Sequence, residues 1–360
     1  MRRLGRTVAA AAVLALAACS SPAPESPAPE SPAPGSPPPE HMSPEARGYL
    51  SEALDLIQQK SLNTAKVDWP KLRTQAFAQA ATARTPADTH TAIRAAVTAL
   101  DDHHSRFYPP DQAANVDADP EAVNAPTTRQ LPGRIAQLTL PAVNGSEHTY
   151  AEYVTRGRAA VAAVAEVSSC GWVVDLRGET GGGMWAPLAV AAPILGDGPL
   201  GAFVTADGTR STWSVRDGVP YLDDAPQASP ATRQDEAPSH QDEAPTHHDE
   251  APETPVAVLA GRATGSAGEA VAIAFIGRPA TRSFGQPTYG VPTGNAAHRL
   301  SDGAVLLLTG AAEADRTGRV HEGPIEPDEP VETADPRKDD DPALAAAVTW
   351  LSGQAPCKAG

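Results

Sequence analysis

The sequence predicts an α/β domain preceded by a small helical subdomain. Apolar residues recur at helical spacing between Pro44 and Asp101. From Arg134 to Ile276, short apolar runs of strand length then alternate with longer amphipathic or alanine-rich segments. Runs of the first kind bury one helix face, and the alternation of the second kind indicates an α/β core.

The first 18 residues read as an export signal. Arg2, Arg3 and Arg6 precede a short apolar run, Val8 to Leu16, and small residues lead to Cys19. A charged head, a short apolar stretch and small residues before a cut are the marks of a secretory signal. The run is too short to span a bilayer as a helix. Leu16-Ala17-Ala18-Cys19 resembles a bacterial lipobox, which implies lipidation at Cys19 and attachment to the cell membrane outside the cytoplasm. Residues 19–43 form a tether whose Ser-Pro-Ala-Pro-Glu repeats carry no apolar periodicity to bury. Such proline-rich chain is extended at roughly 3 Å per residue.

Residues 44–110 are expected to be helical. Tyr49, Leu50, Ala53, Leu54 and Ile57 share one face. Asp68-Trp69-Pro70 opens a second helix, and Thr85-Pro86-Ala87-Asp88 opens a third. The main body is expected over 111–355. There Arg134 to Leu140 alternates as a strand, and Tyr150 to Val167 reads as a helix. Gly171 to Leu176 and Pro255 to Leu259 read as buried strands, each followed by a helix, Met184 to Leu195 and Ser266 to Ile276. Residues 227–253 interrupt this order with three copies of Asp-Glu-Ala-Pro, at 235, 242 and 249. Each copy holds proline and no large apolar residue, so the segment reads as a solvated insertion rather than a heptad. His240, His247 and His248 inside it fit a solvated loop better than a metal site.

Removing residues 1–18 takes away three arginines and no acid, which lowers the net charge from −16 to −19. That balance argues against nucleic acid as a partner. Cys170 and Cys357 are too far apart in sequence for a zinc site of close ligand spacing. Outside the cytoplasm they are free either to pair or to remain apart. Aromatic residues are 4% of the chain, so the core must lean on Val, Leu, Ile and Ala.

Three segments carry candidate chemistry: Asp102-His103-His104-Ser105; Asp175-Leu176-Arg177-Gly178-Glu179-Thr180-Gly181-Gly182-Gly183 after a strand; and Thr264-Gly265-Ser266-Ala267-Gly268-Glu269 between a strand and a helix. A glycine triplet lets backbone N–H groups approach a ligand closely. A serine at a helix start sits among free N–H groups, although a serine there also serves as an N-cap. A histidine supplies a base that titrates near neutral pH. The triplet lacks the Lys-Ser/Thr that a phosphate loop requires.

Together and in this order the segments resemble the S41 peptidases, the family of tail-specific, C-terminal-processing proteases and the tricorn core. Asp175 to Gly182 is similar to that family's Asp-Leu-Arg-Gly-Asn-x-Gly-Gly, and Gly265 to Glu269 matches its Ser-Ala-x-Glu segment. Phe284 to Gly290 and Gly323 to Asp328 are similar to two later loops. The resemblance implies a ClpP/crotonase-like core, here without room for a PDZ domain, and a serine peptidase acting on peptide or protein substrates with no cofactor or metal. It places the nucleophile at Ser266, with oxyanion donors from Gly181, Gly182 and Ala267. The tail-specific branch carries a lysine where this chain has Val291, and the five lysines here lie elsewhere. A Ser-Lys dyad of the usual spacing is therefore excluded. The tricorn-like branch uses a histidine, which carries over to His104, and a glutamate near the Pro-Asp loop, which carries over to Glu322, with Glu326 second. Glu179-Thr180 departs from the family's usual Asn followed by Gly or Pro. A ligand-binding member that keeps the fold without cleavage is the alternative. A third possibility is an interaction lipoprotein whose acidic insertion meets a basic partner.

Overall fold

The structure, a computed structural model, describes residues 41–115, 118–166, 170–227, 254–332 and 341–358. The export signal, Cys19, nearly all of the tether and nearly all of the acidic insertion lie outside the described residues. Among the described residues no helix is long and apolar enough to cross a membrane.

The first 60 described residues are helical, as their spacing predicts. Ser43 caps α1 (Pro44–Lys60) through its side-chain oxygen, which accepts the Ala46 N–H, and Asp68 caps α2 (Trp69–Gln79) by accepting from Lys71. Each places a proline in the first turn, where its missing N–H costs nothing. α3 (His90–Thr98) follows a short 3₁₀ turn. β1 (Arg106–Tyr108) and α4 (Pro110–Ala113) close this part.

Beyond it, β2 (Thr127–Leu131), β3 (Ile135–Thr139), α5 (Glu147–Ala165), β4 (Gly171–Asp175) and α6 (Trp185–Leu195) alternate. An antiparallel run comes next: β5 (Gly198–Thr205), β6 (Arg210–Arg216), β7 (Val219–Leu222) and β8 (Ala225–Pro226). The chain then returns through β9 (Val256–Ala260), α7 (Ala267–Phe275), β10 (Thr281–Gly285), β11 (Thr293–Arg299), β12 (Val305–Asp315), β13 (Val320–His321) and β14 (Glu329–Pro330). Helices α8 (Pro342–Ser352) and α9 (Ala355–Lys358) complete the described residues.

Two sheets form. One is six-stranded in the order β14-β10-β9-β4-β3-β2, parallel except at β2. Its central strands β4 and β9 are buried on every residue, which is why they read as continuous apolar runs. The other is antiparallel, in the order β1-β12-β5-β6-β7-β8, with β11 and β13 also paired to β12. The main core lies between them, where α5, α6 and α7 pack with Trp213 and Val215 of β6. This is the mixed α/β architecture that the sequence predicts, with curled sheets.

The helical part is no detached unit. β1 pairs antiparallel with β12, and Leu50, Leu54 and Ile57 of α1 share a core cluster with Leu306 and Leu308 of β12. Each such side chain, fully buried, contributes about 1.5–3 kcal/mol. The exposed Arg73–Asp55 pair nearby is worth less than about 1 kcal/mol. Apolar burial therefore fixes the helices against the sheet, and with them the loop that carries His104.

On the opposite face of the six-stranded sheet, α8 covers β9, β10 and β4. Cys357 in α9 is bonded to Cys170 beside β4, across a Cα separation of 4.6 Å and 187 residues of chain. The bridge pins the C-terminal helices onto the strand that leads to the glycine loop. Cys357→Ser is expected to lower unfolding stability by about 2–5 kcal/mol, measured by urea denaturation under non-reducing conditions. An unchanged midpoint would show that α8 packing alone holds this end.

Candidate active site

The serine segment is a strained turn between β9 and α7. Ser266 has φ 51° and ψ −113°, a conformation that a non-glycine residue adopts at a cost of about 1–3 kcal/mol. What holds it is the side chain three residues on. Glu269 is fully buried, and its Oε2 accepts the Ser266 N–H at 2.9 Å and the Val291 N–H at 2.8 Å. Its Oε1 accepts the Gly290 N–H at 2.8 Å and the Thr288 hydroxyl. Hydrogen bonds to a charged group contribute about 1.5–3 kcal/mol each, so four of them exceed the strain. The turn is further tied down by Thr264, whose hydroxyl donates to Leu176 O and accepts the Gly261 N–H, while its carbonyl accepts the Tyr289 N–H. A strand–turn–helix held in this way presents a serine Oγ at a helix start.

The glycine loop arrives beside it from β4. Asp175 at the strand end accepts from Gln137 and from Arg177, whose guanidinium also pairs with Asp341 of the α8 cap at 2.7 Å. Beyond this clamp Gly181 and Gly182 have φ 126° and 118°, outside the range of residues with a Cβ. A Cβ on Gly181 would lie 3.3 Å from Ser266 Cβ, and one on Gly182 would lie 2.2 Å from Val143 O. The loop thus passes directly over the serine. Among the described residues no acceptor takes the N–H of Gly182 or of Ala267, the first residue of α7. Two free donors flank Ser266.

His104 reaches the same place from the helical side. Asp102 shapes its loop by accepting the backbone N–H of both His104 and Ser105 and the Ser105 hydroxyl, which itself accepts from Thr309 N of β12. The His104 Nδ1 lies 2.7 Å from Thr293 Oγ1 at the start of β11, and Asn295 of that strand donates to the His104 carbonyl. Burial holds the His104 imidazole below its usual value. The Asp102 charge opposes that shift and the Arg106 charge adds to it. His104 and Ser266 line one cavity of about 520 Å3, together with His103, Arg106, Thr180 and Tyr289. Val291, at the place where a lysine would complete a Ser-Lys dyad, lines it as well.

A model of peptidase family S41 matches residues 134–331, more than half of the chain. The chain belongs to family S41. The nisin-resistance protein of Lactococcus lactis subsp. lactis is 23% identical over 86% of this chain and 88% of that protein. A lipoprotein from Streptococcus agalactiae superposes with a TM-score of 0.68, at 23% identity over 87% of this chain and 98% of that one. The photosystem II D1 C-terminal processing protease superposes with a TM-score of 0.57, at 17% identity over 80% and 93%. These structures share the fold.

Not every residue expected at the site of this S41 chain is brought there. Glu322 and Glu326 line a separate cavity with His321, which is paired to Asp315 at 2.9 Å. Neither glutamate lines the cavity of Ser266 and His104. The group that meets the inner nitrogen of His104 is the Thr293 hydroxyl. Sequence reasoning missed it because a threonine opening a strand carries no signal of its own.

Two buried carboxyls lie behind the site. Burial raises the Glu179 carboxyl to about 8, with the Gly181 amide opposing in part. Glu313 of β12 is raised well above its ordinary value, by burial first and by the charge of Glu269 second. An unfolded carboxyl ionises near 4.5, whereas the folded chain keeps these protons to higher pH. Above about 4.5 the folded state therefore binds more protons than the unfolded state, and stability falls as pH rises. Glu313→Gln is expected to flatten this decline above about pH 4.5. The loss removed is at most about 1.4 kcal/mol per pH unit, read from urea midpoints. An unaltered slope would place the proton elsewhere.

Proposed function

We propose that the chain is a serine-type peptidase that works through an acyl-enzyme on Ser266, outside the cytoplasm and attached to the membrane through lipid on Cys19. The observation that carries this reading is the strained Ser266 at the start of α7, sharing one cavity with a histidine held on its inner nitrogen. With Thr293 Oγ1 accepting from Nδ1–H, the Nε2 lone pair of His104 is left to accept a proton. A base that burial keeps neutral at pH 7 suits that task.

In the proposed reaction Ser266 Oγ attacks the carbonyl carbon of a peptide bond as His104 takes its proton. The N–H of Ala267 and those of Gly181 and Gly182 face the developing oxyanion. His104 then protonates the leaving amine, and water activated by the same histidine releases the acyl group. The orienting role that family resemblance assigns to Glu322 falls to Thr293, because Glu322 lines another cavity. A hydroxyl stabilises the imidazolium less than a carboxylate does, so a dyad with a weak orienter is the better description. Family membership implies peptide or protein substrates. The relatives named for nisin resistance and described as a lipoprotein support a location at the cell surface.

The test is labelling of the purified mature chain by a fluorophosphonate probe. Wild type is expected to label, Ser266→Ala not at all, and His104→Ala about 10²–10⁴-fold more slowly. Thr293→Val should slow labelling about tenfold, since it removes one neutral hydrogen bond worth about 1.4 kcal/mol. A folded wild type that does not label would turn the assignment to a ligand-binding lipoprotein of the same fold.

A further inference from the structure

Glu179 stands inside the loop where S41 sequences usually carry asparagine, and the mechanism above gives it nothing to do. It is fully buried. Its backbone joins the two halves of the site. The Glu179 N–H donates to Leu176 O at the end of β4, and the Glu179 carbonyl accepts the Gly265 N–H of the serine turn at 3.1 Å. Its side chain reaches across to α7 and seats on Gly268, two residues after Ser266. A Cβ on Gly268 would lie 2.4 Å from Glu179 Oε2 and 2.5 Å from Glu179 O, so glycine is required there. Neither carboxyl oxygen has a hydrogen bond of good geometry among the described residues. The amide of Gly181, the residue that passes over Ser266, acts on this carboxyl.

We propose that Glu179 is a positioning residue of the oxyanion hole, whose carboxyl, wedged between the glycine loop and the first turn of α7, sets where the Gly181 N–H points. The proposal rests on the serine-peptidase reading. Its physical content follows from what a buried carboxyl needs. As a neutral acid the group fills its slot against Gly268 without demanding donors, and the Gly181 N–H stays available to the substrate oxygen. As an anion it would demand a donor, and the amide that acts on it is that same N–H. It would also set a negative charge next to the point where the oxyanion develops, in a region of low polarity where repulsion is strong. Both effects oppose the same step. The burial that raises this carboxyl keeps it neutral through pH 7. Of the other ionisable groups packed here, Tyr153 of α5 is close enough to sense the Glu179 charge. Its hydroxyl donates to Pro141 O, and burial raises it far out of range. Glu269, one residue beyond Gly268, already holds four donors.

The test is the rate of fluorophosphonate labelling of the mature chain between pH 6 and pH 10. Wild-type labelling is expected to fall above about 8 as Glu179 ionises. Glu179→Gln, the neutral isostere, is expected to label near the wild-type rate at pH 7 and to lose the alkaline fall. Glu179→Ala should label about 10²–10³-fold more slowly at every pH while remaining folded by circular dichroism, as loss of an oxyanion donor would cause. Should Glu179→Gln not fold, Gly268→Ala, which pushes the carboxyl off its seat, is expected to slow labelling by the same factor. An alkaline fall that survives in Glu179→Gln, or a Glu179→Ala or Gly268→Ala chain that labels like wild type, overturns the proposal. A folded wild type that labels at no pH overturns the peptidase reading, and this proposal with it.

Discussion

The arrangement around Ser266 depends on one buried carboxylate. Glu269 is enclosed by protein, and four donors converge on it: the N–H of Ser266, Gly290 and Val291, and the Thr288 hydroxyl. A carboxylate taken out of water must be paid for in hydrogen bonds, and these supply them. In doing so they hold the serine in a backbone conformation that it would not keep alone. They also draw the 288–291 loop against the same turn. Without Glu269, nothing else among the described residues holds the Ser266 N–H. The cavity wall that Tyr289 and Val291 provide would lose its bonds at Gly290 and Val291 and keep the one from Tyr289 N–H to Thr264 O.

Two separate pieces of chain are brought to that turn by different forces. The glycine loop is placed by the end of β4, where the Asp175–Arg177–Asp341 cluster locks strand, loop and α8 together. The disulfide from Cys170 to Cys357 ties the opposite ends, joining the start of β4 to the chain beyond α8. The histidine loop is placed by apolar packing of α1 against β12 and by the Asp102 cap. Its imidazole is then aimed by Thr293 of β11. Since β11 and β12 pair along their length, the strand next to the one that receives the helical part supplies the hydroxyl that orients the histidine. Packing of the helices and alignment of the site are thus one structural event.

Much of this is legible in the sequence, because some signals are local. Ser43, Asp68 and the prolines after them mark helix starts, and the continuous apolar runs at 171–176 and 255–259 mark strands buried on both faces. The antiparallel strands β5 to β7 and β11 to β12 are less visible. Their pairing partners are distant in sequence and their residues follow no clean alternation, so the pattern along the chain is weak. The same reason hides Thr293. Its role comes from a neighbour 189 residues away, and nothing in its own vicinity announces it. Glu322 misled for the converse reason. Position relative to a Pro-Asp loop suggested a role, and the fold turns that loop towards another cavity.

By itself the sequence determined the α/β alternation, the helical preface and the lack of a lysine for a Ser-Lys dyad, each of which follows from residue type, spacing or short-range order along the chain. Membership of family S41 follows from likeness to the family's motifs and to its model over residues 134–331. Tertiary structure alone decided that Cys170 meets Cys357, that Ser266 and His104 share a cavity, and that a threonine faces the histidine. It also decided that Glu179 lies buried against Gly268. These are distances between segments remote in sequence. Burial of apolar surface brings such segments together only when both sheets and the helices on them are assembled.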